Sequence, residues 1–133
     1  MRLYLCRHAH ADPGEPDASR PLSPRGESQA AALADSLAGA DEPPVLILSS
    51  PLLRAHRTAE AIAETTGAEL RSDDRLAPGA TVDSLRDAVA GLDGPIAIVG
   101  HQPDCSEIAL ALTGSDPGFA PGGCAALDLG DPP

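Results

Sequence analysis

Leu3-Tyr4-Leu5-Cys6 is a short apolar run stopped abruptly by Arg7 and His8, and a Pro/Gly/Asp-rich stretch follows it. A run of that length, apolar at consecutive positions, predicts a strand buried on both faces. Val45-Leu46-Ile47-Leu48 and Pro95-Ile96-Ala97-Ile98-Val99-Gly100 read the same way, the first bounded by prolines and serines and the second ending on His101. Between them the period changes. Ala30, Leu33, Ala34, Leu37 and Ala38 recur at helical spacing behind Ser23-Pro24, an N-cap followed by proline, which predicts a helix from Pro24 to Ala38 ending at Gly39. Ser50-Pro51 repeats that start signal for a second helix reaching about Thr65. Its stripe is Leu52, Ala55, Ala59, Ile62 and Ala63, and Gly67 is its stop. On that spacing Arg54, Thr58 and Ala61 share another face, with Arg54 in the first turn beside the end of the second strand.

Weaker patterns complete the chain. Glu69-Leu70-Arg71 reads as a short edge strand. Thr81 caps a helix carrying Val82, Leu85, Ala88, Val89 and Leu92, and Gln102-Pro103 or Asp104 with Glu107 opens another through Ile108, Ala109 and Leu112 to Gly114. Cys124 to Leu129 reads as the last strand. Alternating strands and helices predict a mostly parallel sheet covered on both faces, a three-layer α/β/α sandwich, and 133 residues suit one domain over 1–133. The segment Ala11 to Leu22, with three prolines, is long for a strand-to-helix connection, and such loops are often functional.

Composition narrows the chemistry. Aromatics are 2% of the chain against 42% hydrophobic residues, so the core is built from Leu, Ile, Val and Ala. The formal net charge is −11 and all nine basic residues are arginine. Without lysine there is no Schiff-base chemistry and no Walker-type phosphate loop. The acidic excess argues against nucleic acid and anionic membranes as partners. Cys6, Cys105 and Cys124 show no metal-ligand spacing and read as reduced thiols; no metal or cofactor is expected. The chain shows no leader pattern before the first strand and no apolar run near the ~20 residues of a membrane span, so a cytoplasmic protein is the expectation. A monomer is expected as well, independently of these patterns.

Three strand exits carry polar groups: Arg7 and His8 after the first, Arg54 a turn past the second, His101 after the third long one. If these strands are parallel neighbours, the four side chains gather at one rim, where open α/β sheets bind ligands. Two guanidinium forks and two imidazoles beside a helix N-terminus suit a tetrahedral dianion, and a histidine held neutral there can attack phosphorus.

These residues resemble the histidine phosphatase superfamily, the phosphoglycerate-mutase-like family. Arg7-His8-Ala9 resembles its Arg-His-Gly signature, Ser49 to Ala59 its second motif and Val99-Gly100-His101 its third. The short length and Arg20-Pro21-Leu22-Ser23 are most similar to SixA-type phosphohistidine phosphatases. The resemblance implies a phosphoglycerate-mutase-like fold, His8 as a nucleophile that is phosphorylated and then hydrolysed, Arg7 and Arg54 as ligands of the phosphoryl oxygens, and His101 as a stabiliser of the same group. Arg20 matches a further phosphate-contacting position. The implied substrate is phosphorylated, with a phosphohistidine-bearing protein domain preferred over a small-molecule phosphate monoester. A non-catalytic phosphate-binding module is the rival reading, and the retained histidines speak against it. Where larger members place a glutamate acid, Arg75 to Thr81 holds no carboxylate before Asp83, which disfavours alkoxide leaving groups. Asp12, Glu27, Asp83 and Asp104 are weaker donor candidates. His10, His56 and Arg57 read as surface residues, Cys6 as a core residue, and Gly26 as a point of close approach between helix and loop.

Overall fold

The computed structural model describes residues 1–130. Five strands, β1 (Arg2–Arg7), β2 (Leu46–Ser49), β3 (Glu69–Ser72), β4 (Ile96–Gly100) and β5 (Cys124–Asp128), form one sheet in the order β3-β2-β4-β1-β5. The pairs β1/β4, β2/β4 and β2/β3 are parallel; β5 is the exception and runs antiparallel to β1. Four helices connect them: α1 (Pro24–Ala38), α2 (Leu53–Thr66), α3 (Val82–Val89) and α4 (Asp104–Thr113).

The alternation of side chains along β1 divides the core in two. Leu3 and Leu5 pack with Ile96, Ile98, Leu85 and Ile108 on the α3/α4 side, while Tyr4 and Cys6 pack with Ile47, Val99, Leu33 and Ile62 on the α1/α2 side. A strand so placed needs apolar residues at every position, which is why β1, β2 and β4 read as unbroken apolar runs. Each fully buried Leu or Ile contributes about 1.5–3 kcal/mol. The three-layer architecture is the expected one.

The local start differs from expectation at one helix. α1 begins as predicted, with Ser23 Oγ accepting from Gly26 N at 3.0 Å. α2 begins later than Ser50-Pro51 implies: its cap position is Leu52, with no side-chain cap, and Ser50, the first residue after β2, is fully buried with its Oγ accepting from Leu52 N at 3.3 Å. α4 opens at Gln102-Pro103, one of the two expected starts, with Gln102 Oε1 accepting from Ser106 N at 2.9 Å. Its cap position is Pro103, and the Asp104 carboxylate instead accepts from Gly79 N (2.9 Å) and Ala80 N (3.1 Å), tying the loop before α3 to the start of α4. Thr81 does cap α3, in a reciprocal pair with Ser84.

Register sets the functional rim. Arg7 is level with Gly100 across β1/β4, and Ser49 is level with Val99 across β2/β4. The three strands end together, so His8, Ser50 and His101 are the first residues beyond neighbouring strand ends.

Candidate active site

His8 leaves β1 with its backbone fixed on both sides. Its N–H donates to Gly100 O at 3.0 Å, and its carbonyl accepts from Gly122 N at 3.1 Å. The ring is fixed as well: Nδ1 lies 2.7 Å from Ala9 O. A carbonyl only accepts, so Nδ1 carries the proton and the Nε2 lone pair is free. Burial lowers the pKa of His8, the bond to Ala9 O partly opposes that, and repulsion from Arg54, Arg7 and Arg20 lowers it further. The ring is therefore neutral at pH 7.

The His101 ring lies 5.1 Å from that of His8, centroid to centroid, tilted by 59°. It is buried, and its Nε2 is 2.7 Å from Ser50 Oγ. Burial lowers its pKa to about 4, with repulsion from His8 and Arg54 adding to the effect and Asp17 opposing it. Two neutral imidazoles thus face one another among arginines.

Arg54, in the first turn of α2, is only 8% exposed, so its charge needs partners. The partner is Asp17, in a short 3-10 turn of the 11–22 loop: one terminal nitrogen donates to Asp17 O at 3.0 Å, the other to Oδ2 at 3.2 Å. The same carboxylate accepts from Arg20 at 3.1 Å through Oδ1. The Arg20 hydrogen bond, with Arg54 adding to it, holds Asp17 below the usual carboxylate range. Arg20 also donates to Asp12 O (2.8 Å) and Ala11 O (3.4 Å), so all three of its nitrogens serve the loop. Arg7 donates to Phe119 O at 3.0 Å, and its buried Nε has no partner among the described residues.

Thr58 joins two of these parts. Fully buried, it accepts from Ala9 N at 3.0 Å and donates to Arg54 O at 2.8 Å, pinning the turn after His8 to α2.

The four side chains expected at the rim, Arg7, His8, Arg54 and His101, are thus brought to one end of the sheet; Arg20 is near them through Asp17. Other residues stand elsewhere. His10 is half-buried and bonded to Ser23 Oγ at 2.6 Å, so it secures the start of α1 and is no free surface residue. His56 is half-buried too, and Arg57 pairs with Glu60 at 2.8 Å on the outside of α2. Asp104 serves the backbone, and Asp83 is exposed on α3. Asp17, Ser50 and Thr58 belong to the site without being among the residues expected there. Ser50 carries a helix-cap pattern that hid its place at a strand end. Thr58 did stand on the helix face of Arg54, which was the available signal.

Comparison with known proteins fits this arrangement. Residues 3–78 match the histidine phosphatase superfamily (branch 1). A protein of Picosynechococcus sp. is 38% identical over 121 residues, covering 84% of this chain and 73% of the relative. The chain belongs to the histidine phosphatase superfamily. A chloroplastic protein of Arabidopsis thaliana is 30% identical over 130 residues, covering 86% of this chain and 60% of the relative. Among solved structures, SixA of Agrobacterium tumefaciens, assigned as a phosphohistidine phosphatase, superposes with a TM-score of 0.83 at 31% identity, covering 96% of this chain and 90% of that one. A mycobacterial glucosyl-3-phosphoglycerate phosphatase superposes with a TM-score of 0.68 at 26% identity, covering 86% and 80%. Family and fold are those of a phosphatase, with a mostly parallel phosphoglycerate-mutase-like sheet. No helix among the described residues is long and apolar enough to cross a membrane.

Proposed function

We propose that residues 1–133 form one phosphohistidine phosphatase domain that works through a covalent phosphoryl group on His8. The carrying observation is the bond from His8 Nδ1 to Ala9 O, which leaves Nε2 as a preset nucleophile within a cluster of guanidinium groups. Arg7 and Arg54 bind the phosphoryl oxygens, the unpartnered Arg7 Nε among their donors. Nε2 attacks phosphorus, the leaving group departs on the opposite side, and the arginines stabilise charge on the equatorial oxygens. Water then attacks the phosphoenzyme, the P–N bond breaks, and inorganic phosphate leaves.

His101 supports both steps. Ser50 Oγ accepts from Leu52 N at 3.3 Å and lies 2.7 Å from His101 Nε2. The arrangement that uses each group once has the Ser50 hydroxyl donating to Nε2, which puts the His101 proton on Nδ1 for a phosphoryl oxygen.

The leaving group follows from the acids. Asp17 is bonded to the cluster through Arg54, and Arg20 and Arg54 keep it ionised; Asp104 accepts two backbone N–H groups. Neither is a ready proton donor. An alkoxide leaves poorly without one, whereas the nitrogen of a phosphoramidate leaves with less help. Phosphohistidine on a protein is therefore favoured, and the similarity to SixA agrees with it. A small-molecule monoester is the second reading, supported by the likeness to the glucosyl-3-phosphoglycerate phosphatase.

The test is a panel of phosphohistidine peptides and sugar phosphates assayed with wild type and His8→Ala. Faster turnover of phosphohistidine, abolished in His8→Ala, is expected. Faster hydrolysis of an unactivated sugar phosphate would overturn the substrate class, and activity retained by His8→Ala would overturn the mechanism.

A further inference from the structure

β5, the edge strand, lies antiparallel to β1 with Cys124 directly opposite Cys6. Arg7 N donates to Gly123 O at 2.9 Å, which makes 7/123 a hydrogen-bonded pair and leaves Cys6/Cys124 the non-bonded pair beside it. Opposed residues at such positions have Cα atoms about 4.5 Å apart with both side chains on one face. Disulfides span Cα separations of about 4.4–6.8 Å, so the strands need no rearrangement to be bridged.

The two thiols differ in access. Cys6 is fully buried in the α1/α2 half of the core, while Cys124 is exposed and lines a surface groove with Gln29, Leu33 and Ser36 of α1. The adjacent thiols act on one another in opposite senses: Cys124 is held below the ordinary thiol value by its neighbour, and Cys6 well above it by the same neighbour and by burial. Cys105 packs in the other half of the core, and burial pushes it up to about 12. An accessible thiol directly opposite a buried one, at a separation a disulfide can span, is the pattern of a redox-responsive pair.

We propose that Cys6 and Cys124 form a reversible disulfide on exposure to peroxide, stapling the edge strand to the strand that carries Arg7 and His8. The Cys124 thiolate attacks a peroxide oxygen; the O–O bond breaks, a sulfenic acid forms, and the released hydroxide takes a proton to become water. Cys6 sulfur then attacks the sulfenic sulfur, the S–S bond forms as the S–O bond breaks, and a second water leaves with the Cys6 proton. Two thiols lose two electrons and one hydrogen peroxide becomes two waters. The staple matters where it sits. The segment leading into β5 supplies Phe119 O to Arg7 and Gly122 N to the carbonyl of His8, so an edge strand that frays takes these supports with it.

The test treats the full chain with hydrogen peroxide, counts thiols after denaturation and maps peptides without reduction. Two of three thiols should be lost in the monomer, with a peptide joining Cys6 to Cys124, Cys105 still free, and reversal by dithiothreitol. Closing a loop of this length should raise Tm by about 8–16 °C. Cys124→Ser, an exposed substitution, should keep both remaining thiols and show no rise. Three surviving thiols, a sulfinic acid on Cys124 with Cys6 free, or a dimer linked through Cys124 would each overturn the proposal.

Discussion

Gly26 is where α1 meets the segment following the nucleophile, and replacing it with alanine tests how that segment is held. A Cβ built at Gly26 falls 1.9 Å from His10 O, 2.9 Å from its carbonyl carbon and 3.2 Å from its nitrogen. These are backbone atoms, so the helix start and residue 10 must separate by more than an ångström. Several interactions span that gap: Ser23 N donates to His10 O at 3.0 Å, Ser23 Oγ both caps α1 and meets the His10 ring, and His10 N donates to Gln29 Oε1 at 2.8 Å. Losing the cap costs about 1 kcal/mol, and losing the backbone bond a further ~1 kcal/mol. Residual overlap adds about 1–3 kcal/mol. Alanine's better helix propensity returns about 1 kcal/mol. The net expectation is a loss of about 2–4 kcal/mol, or roughly 10–15 °C in Tm for a domain of this size. Urea denaturation of wild type and Gly26→Ala measures it, with kcat of the folded variant as a second readout, since His10 lies two residues from His8. A variant as stable as wild type would refute the packing argument.

Thr58→Val keeps shape and removes the hydroxyl, leaving the buried Ala9 N–H unpaired. A stability loss of about 1–3 kcal/mol by denaturation and a fall in kcat are expected, with Thr58→Ser restoring most of both. Asp17→Asn removes the negative charge that occupies Arg54, so inhibition by inorganic phosphate should tighten by roughly two- to fivefold. Weaker inhibition would mean that the carboxylate is needed to orient the fork. The pH dependence of stability has a definite sign. His101 titrates near 4 in the fold against an ordinary value of 6.5, and His8 is lowered in the same direction. Between these limits the unfolded chain binds protons that the native state does not. Stability should therefore be intact above about pH 6.5 and fall as pH drops toward 4, with His101→Asn flattening that slope in denaturation curves.

Much of this was readable from the chain because buried strands leave little choice of residue. β1, β2 and β4 declare themselves as apolar runs, and the polar group ending each run marks the rim, so Arg7, His8 and His101 stand out in the sequence itself. Ser23-Pro24 and Gly39 bounded α1 for equally local reasons. Non-local contacts were hidden. Asp17 looks like any acid in a loop until the chain folds it onto Arg54, 37 residues away. Ser50 carries a cap pattern that the register of β2 with β4 overrides. Asp104 likewise resembles a helix cap, yet its carboxylate turns to the loop at Gly79. Arg20 was assigned by resemblance to phosphate contact, and in the structure all three of its nitrogens are engaged within the 11–20 segment.

The central claim is that the phosphoryl group passes through an imidazole nitrogen of His8. Rapid acid-free quenching of the protein with isotopically labelled phosphohistidine substrate, followed by peptide mapping, tests it directly. An acid-labile, base-stable label on the peptide containing His8, absent in His8→Ala, is the predicted result. Turnover with the label on another residue, or undiminished turnover by His8→Ala, would contradict it.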